Sequence, residues 1–152
     1  MKILNFWAIL FFTTLMVACG SDGNELVDNA TQIQEYIASN NLDAQEVGDT
    51  GLFYVVSNEG DGEFPNIDND VTVHYHGTFL DGSVFDSSVA RGEPANFPLS
   101  GVIVGWQLGI PKFSRGGSGK LIIPSDLAYG PRGTNGIPGN SVLIFDVELI
   151  DF

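Results

Sequence analysis

The spacing of apolar residues divides the chain into three unlike stretches. From Phe6 to Ala18 they form a run of 13 with no charge. Next, Leu26, Ala30, Ile33 and Ile37 recur at four-three-four spacing, the period of one helix face. This predicts an amphipathic helix over residues 25–39, ending near Asn40-Asn41 and capped by Asn24, or by Asp22 with Glu25 three places on. One such helix is no domain: it packs on the domain C-terminal to it, serves as a spacer, or pairs with a second copy of itself.

From Leu52 onward the period becomes two, that of a half-buried strand. Leu52 to Ser57 reads as one strand, and Val71, Val73 and Tyr75 alternate with Thr72, His74 and His76 in another. Asp81-Gly82 is a tight hairpin signal between Phe79-Leu80 and Val84-Phe85. Lys120 to Ile123 gives a short strand closed by Pro124; a final one points Leu143, Phe145, Val147 and Leu149 inward with Asp146 and Glu148 outward. Gly105 to Ile110 makes a short helix, because Pro111 stops it. The predicted fold class is α+β: an antiparallel sheet of about five strands with one short helix across its inner face, preceded by the amphipathic helix. Nineteen glycines among 152 residues agree with a turn-rich, mostly β domain.

Charge removes whole classes of function. The formal net charge is -13, and 14 of the 19 acidic residues fall between residues 20 and 90, where no Lys or Arg occurs. Nucleic-acid binding needs a basic footprint that is absent here, and a polybasic membrane patch is excluded likewise. The single cysteine cannot form an intrachain disulfide, and no Cys/His cluster has zinc spacing.

The opening apolar run is short for a membrane span, which wants about 20 residues, and right for a signal peptide. Its end, Leu15-Met16-Val17-Ala18-Cys19, resembles a bacterial lipoprotein signal, with Met16 where Leu is usual. Residues 1–18 are then the signal peptide, and Cys19 is the lipidated, membrane-anchoring residue. Residues 19–47 hold that cysteine, a tether and the helix; 48–152 form the domain. An ordinary secretory signal or an uncleaved anchor is the alternative. The expected place is the cell envelope, on its periplasmic or surface side.

Candidate chemistry is sparse. Asn66 to Asp70 alternates oxygen ligands like a calcium loop, but Val71 stands where the turn needs Gly and Gly77 where the bidentate Glu belongs. His74 and His76 lie opposite the Val73–Tyr75 face and read as exposed strand histidines, so no nucleophile has a base beside it. No phosphate loop, dinucleotide fingerprint, metal set or cofactor is expected. What stands out is a set of aromatics near glycines: Tyr75, Phe85, Phe97, Trp106, Tyr129 and Phe145. Such residues are commonly plain core. However, Asp86 follows Phe85, and Arg91 five residues later is placed to pair with it at a pocket rim.

Six blocks in order carry a family resemblance: Val73-His74-Tyr75-His76-Gly77; Asp81 to Ser88; Val102-Ile103-Val104-Gly105-Trp106; Ile123 to Gly130; Ile137-Pro138; and Leu143 to Leu149. Over residues 48–152 the sequence resembles the FKBP-type peptidyl-prolyl cis-trans isomerases. The resemblance implies a half-barrel wrapped on a short helix, with a proline pocket between them. Trp106 would be its floor, and Tyr75, Phe85, Val102, Ile103, Tyr129, Ile137 and Phe145 its walls. Phe97 would line it from below and Asp86 its mouth. It further implies proline-containing polypeptides as substrates, rapamycin-like macrolides as possible ligands, and catalysis by desolvation. Tyr129 would donate to a substrate carbonyl, Asp86 would polarise the twisting unit, and Tyr75 and Arg91 would hold Asp86. Ala95 departs from the family, standing where many relatives have an aromatic, and the Gly-rich loop 131–140 differs too. A proline-binding chaperone or docking lipoprotein without isomerase activity is the competing function. A structural lipoprotein assembling through residues 25–39 as a homodimer is a third.

Overall fold

The computed structural model describes residues 28–152. The expected signal peptide, Cys19, the tether, Leu26 and the caps Asp22 and Asn24 lie outside the described residues. Helix α1 spans Asn29–Ser39. Its N-cap is Asp28, whose carboxylate accepts the Thr31 N–H at 2.8 Å, and Asp28 itself is extended, so the helix begins four residues later than its expected start at 25. Ile33 of the predicted stripe is 1% exposed. It packs with Ile122, Val142 and Ile144, flanked by Tyr36, Ile37, Leu42, Phe53 and Leu80. The helix therefore covers the outer face of the chain's own sheet.

The sheet has seven antiparallel strands. They are β1 (Gln45–Glu46), β2 (Phe53–Asn58), β3 (Asp70–Thr78), β4 (Val84–Ser87), β5 (Ala95–Pro98), β6 (Ser118–Ile123) and β7 (Leu143–Asp151). The order is β1-β2-β6-β7-β3-β4, with β5 also on β3. The two strands beyond the expected set, β1 and β5, hold two and four residues, too few to display a period. The long central pair β3 and β7 runs in register from Val73 opposite Leu149 to Thr78 opposite Ile144. Leu121, Ile123, Leu143, Phe145, Val147 and Leu149 face the inner core with Val71, Val73 and Tyr75.

Strands β4 and β5 share one edge of β3, with His76 opposite Ser87 and Val73 opposite Ala95. Between them the chain leaves the sheet for one helical turn, α2 (Ser88–Arg91). Ser87 caps it, its hydroxyl accepting the Ala90 N–H at 3.1 Å. The fully buried Ser88 takes the place of the missing strand: its Oγ accepts the Tyr75 N–H at 2.7 Å and donates to the Tyr75 carbonyl at 3.2 Å. That satisfies backbone groups which would otherwise be buried unpaired. It also corrects the reading of the histidines. His74 and His76 are half-buried rather than exposed, their Nδ1 atoms 3.1 and 3.0 Å from the Ser88 and Ser87 hydroxyls.

Helix α3 (Val104–Gly109) lies on the inner face, and Pro111 ends it in a 3₁₀ turn, Ile110–Lys112. Its approach depends on two glycines. A Cβ at Gly105 would stand 2.4 Å from the Ile123 Cγ2, and one at Gly109 2.6 Å from a Leu121 methyl. Both neighbours are fully buried, and Ile123 is branched at Cβ and cannot swing away. In Gly105→Ala, overpacking of about 1–3 kcal/mol outweighs a helix-propensity gain of about 1 kcal/mol at most. Chemical denaturation is expected to show a net loss of about 1–2 kcal/mol.

Candidate functional site

The glycine face that seats α3 on β6 turns the next residue, Trp106, up between the sheet and the loops. Its indole is 4% exposed and meets three rings edge-on: Phe145 at 5.2 Å between centroids, Tyr75 at 5.3 Å and Phe97 at 5.9 Å. Edge-to-face pairs of this kind add about 0.5–1.5 kcal/mol each to the area they bury. Phe85 stands against Phe145 at 5.4 Å and Phe79 at 5.1 Å. A Cβ on Gly77 would lie 2.6 Å from the Phe85 ring, so glycine near the end of β3 makes room for that wall.

Above the indole lies a cavity of about 590 Å³. It is lined by Tyr75, Phe85, Asp86, Phe97, Val102, Ile103, Trp106, Tyr129, Ile137 and Phe145, together with Gly101, Thr134, Asn135 and Gly136. Every residue expected at the pocket lines it except Arg91, which stands behind Asp86. Of the last four, Thr134, Asn135 and Gly136 belong to the Gly-rich loop 131–140, and Gly101 alone comes from outside the segments singled out in the sequence. Thr134 and Ile137 exchange backbone hydrogen bonds of 2.9 and 3.0 Å across Asn135-Gly136, with Gly136 at φ +81°. Asn-Gly is a hairpin-turn signal that was present to be read.

Polar groups gather at the mouth. The Asp86 carboxylate accepts from the Tyr75 hydroxyl with one oxygen and from Arg91 Nη1 with the other. Arg91 Nη2 closes the triangle by donating to the Tyr75 oxygen at 2.9 Å, and the guanidinium lies 5.6 Å from the centre of the Tyr75 ring. Burial alone would raise the Asp86 carboxyl, but the hydrogen bonds from Tyr75 and Arg91 and the guanidinium charge hold it below the usual carboxylate range. Burial, and then the bond to Asp86, pushes the Tyr75 phenol up. The mouth therefore carries a fixed anion and a neutral phenol at pH 7. Opposite them Tyr129 is 40% exposed, and its hydroxyl has no hydrogen-bond partner among the described residues.

An aromatic bowl with an anion and a hydroxyl at its rim is suited to holding and polarising a guest. Among the described residues no group of three metal-ligating side chains is assembled, and His74 and His76 open onto the other face of the sheet in a separate cleft with Asp146 and Glu148. The indole N–H of Trp106 is buried without a partner among the described residues.

The chain resembles known proteins both in sequence and in fold. The family model for FKBP-type peptidyl-prolyl cis-trans isomerases matches residues 61–150. FkpA of Escherichia coli (strain K12), an FKBP-type peptidyl-prolyl cis-trans isomerase, is 53% identical over 102 residues, which are 67% of this chain and 38% of that protein. FkpA of Aeromonas hydrophila is 46% identical over 127 residues, 83% of this chain and 47% of that one. The chain thus spans less than half the length of these curated relatives. The crystal structure of FkpA from Escherichia coli superposes with a TM-score of 0.74 at 44% identity, covering 82% of this chain and 58% of that one. A peptidyl-prolyl cis-trans isomerase from Pseudomonas syringae gives 0.69 at 31% identity, over 81% of this chain and 92% of the other.

The depressed Asp86 carboxyl contributes stability that is present above the ordinary carboxylate range, about pH 4, and is lost as pH falls through its folded value. With side-chain exposures of 51% for Arg91 and 44% for Asp86, solvent screens the pair and the contribution is small. In Arg91→Ala the Asp86 titration, followed by carboxyl NMR, is expected to move upward toward the unperturbed range.

Proposed function

The chain belongs to the FKBP-type peptidyl-prolyl cis-trans isomerases, and from that premise we propose that it accelerates rotation about X-Pro bonds in polypeptides of the cell envelope. The observation that carries this reading is the aromatic cavity floored by Trp106, with an ionised Asp86 and an unengaged Tyr129 hydroxyl at its mouth. Rotation about an amide faces a barrier of about 18–20 kcal/mol, because resonance is lost as the C–N bond twists. Uncatalysed X-Pro exchange takes roughly 10–100 s at 25 °C. No covalent bond breaks, so neither a nucleophile nor a metal has to act.

Water stabilises the planar, more polar amide more than the twisted one. A cleft that strips water from the imide and grips the proline ring on Trp106 removes that preference, leaving the preceding carbonyl to turn. In this reading the exposed Tyr129 hydroxyl donates to a substrate carbonyl. The Asp86 anion, held by Tyr75 and Arg91, orients and polarises the turning unit; it takes no proton, and general-base catalysis plays no part. Phe85, Phe97, Val102, Ile103, Ile137 and Phe145 close the walls. Lowering the barrier by about 4 kcal/mol is worth roughly a thousandfold.

Finer statements belong to the same reading. Cys19 is proposed as the lipidated residue that holds the domain at a membrane, after removal of residues 1–18. Rapamycin-like macrolides are proposed ligands of the cavity, with Ala95 on β5 lowering one wall. A homodimer through residues 25–39 is the less favoured use of the helix, since Ile33 is already covered by the chain's own sheet. Sedimentation of the chain from Gly20 onward is expected to give a monomer; a dimer would favour pairing through the helix. A proline-binding chaperone without isomerase activity is the competing reading, disfavoured by the preorganised anion and phenol at the mouth.

A proline-peptide exchange assay on the chain from Gly20 onward tests the proposal, repeated with a macrolide present. Rates equal to buffer would remove the enzyme reading and leave the chaperone and structural readings. Trp106→Ala and Asp86→Ala are each expected to lower kcat/KM by about tenfold or more, against a loss of about 1.4 kcal/mol per factor of ten. An unchanged rate in either would remove that residue from the site.

A further inference from the structure

Asn29 lines no part of the cavity, yet its side-chain amide is bonded at both ends to the loops that form the cavity's rim. Its Oδ1 accepts the N–H of Ser125 at 2.7 Å, 96 residues away, and its Nδ2 donates to the carbonyl of Asn140 at 3.1 Å, 111 residues away. Only one orientation of the amide serves both partners, one being a donor and the other an acceptor.

Each partner holds a segment with a residue of the cleft. Ser125 opens the 3₁₀ turn Ser125–Leu127 that leads into Tyr129, and this turn has no side-chain cap of its own. Ser125 is buried, so Asn29 supplies an acceptor to an N–H that would otherwise be orphaned. Asn140 closes the base of the second loop, donating its own N–H to the Gly130 carbonyl at 2.9 Å, while Ile137 projects from the loop into the cavity. The amide is itself anchored. It belongs to the first turn of α1, which Ile33, Tyr36 and Ile37 together hold against the outer side of β6 and β7, so that no single one of them is needed to keep the helix in place.

We infer that Asn29 is a positioning residue: through Ser125 and Asn140 it sets the separation of Tyr129 and Ile137, and so the affinity of the cleft for a proline-containing chain. This rests on the function proposed above. Helix α1, outside the matched family segment, thereby becomes a working part of the site rather than a spacer.

The test compares the full chain with three variants. Asn29→Ala removes both bonds. Asn29→Asp keeps an acceptor for Ser125 and loses the donor to Asn140. Ile33→Ala weakens the packing of α1 while leaving both bonds, and controls for a merely structural effect. In Asn29→Ala, KM for a proline tetrapeptide is expected to rise about fivefold with kcat within about twofold, and amide exchange is expected to quicken at both Ser125 and Asn140. Asn29→Asp should release Asn140 alone, with a smaller rise in KM. Ile33→Ala should lower the melting temperature most and leave KM in place. An unchanged KM in Asn29→Ala, or an equal rise in Ile33→Ala, would overturn the inference. If the wild-type chain does not isomerise the peptide, the proposed activity fails by itself, and equilibrium affinity for the same peptide replaces KM in the same comparison.

Discussion

The closeness of α3 to β6 is the constraint from which the rest of the site derives. Two glycines four residues apart let the helix backbone settle onto Ile123 and Leu121. Any larger residue there would lift the helix, and with it the indole that makes the cavity floor. Because Trp106 meets Tyr75, Phe97 and Phe145 edge-on, its position in turn fixes those rings. A tight contact on one side of a six-residue helix is thus converted into an open aromatic bowl on the other.

The mouth is built by a different device. Arg91 reaches Asp86 and Tyr75 because the chain departs from the sheet edge between β4 and β5, and Ser88 makes that departure tolerable by serving the Tyr75 backbone. The acidic surplus of the chain makes the local balance informative. Asp86 has the only Lys or Arg between Lys2 and Lys112 beside it. Arg115 is likewise engaged, by Glu63 at 2.6 Å, Asp151 at 2.8 Å and Asp61 at 3.4 Å, and ties the loop after β2 to the end of β7.

How much of this could be read in advance depends on the range of each interaction. Strands β3 and β7 and the short helix are written in local period and in Pro111, and the structure has them where the pattern places them. The cap of α1 lay within reach too: Asp28 is as good a capping residue as Asn24, and the stripe alone could not choose between them. Ile122 and Ile144 carry a second local signal. Apolar residues on the outward register of β6 and β7 require a cover, and α1 is that cover. The cavity walls were legible mainly through the ordered family motifs, since composition alone cannot separate a bowl of aromatics from a core. Ser88 and Asn29 were not legible at all. Their partners lie 13 residues away in the one case and 96 and 111 in the other, and nothing in a serine or an asparagine announces which distant backbone group it will serve.

The one-turn detour at α2 has a further effect. An uninterrupted edge strand offers a row of free amide and carbonyl groups, a template on which any extended chain can add itself. Here a serine hydroxyl occupies those valences at Tyr75 and a helical turn stands in the way. The margin of β3 beside the cavity therefore offers an extended chain no free backbone group at Tyr75, and the only edges left to it there are the four-residue strands β4 and β5.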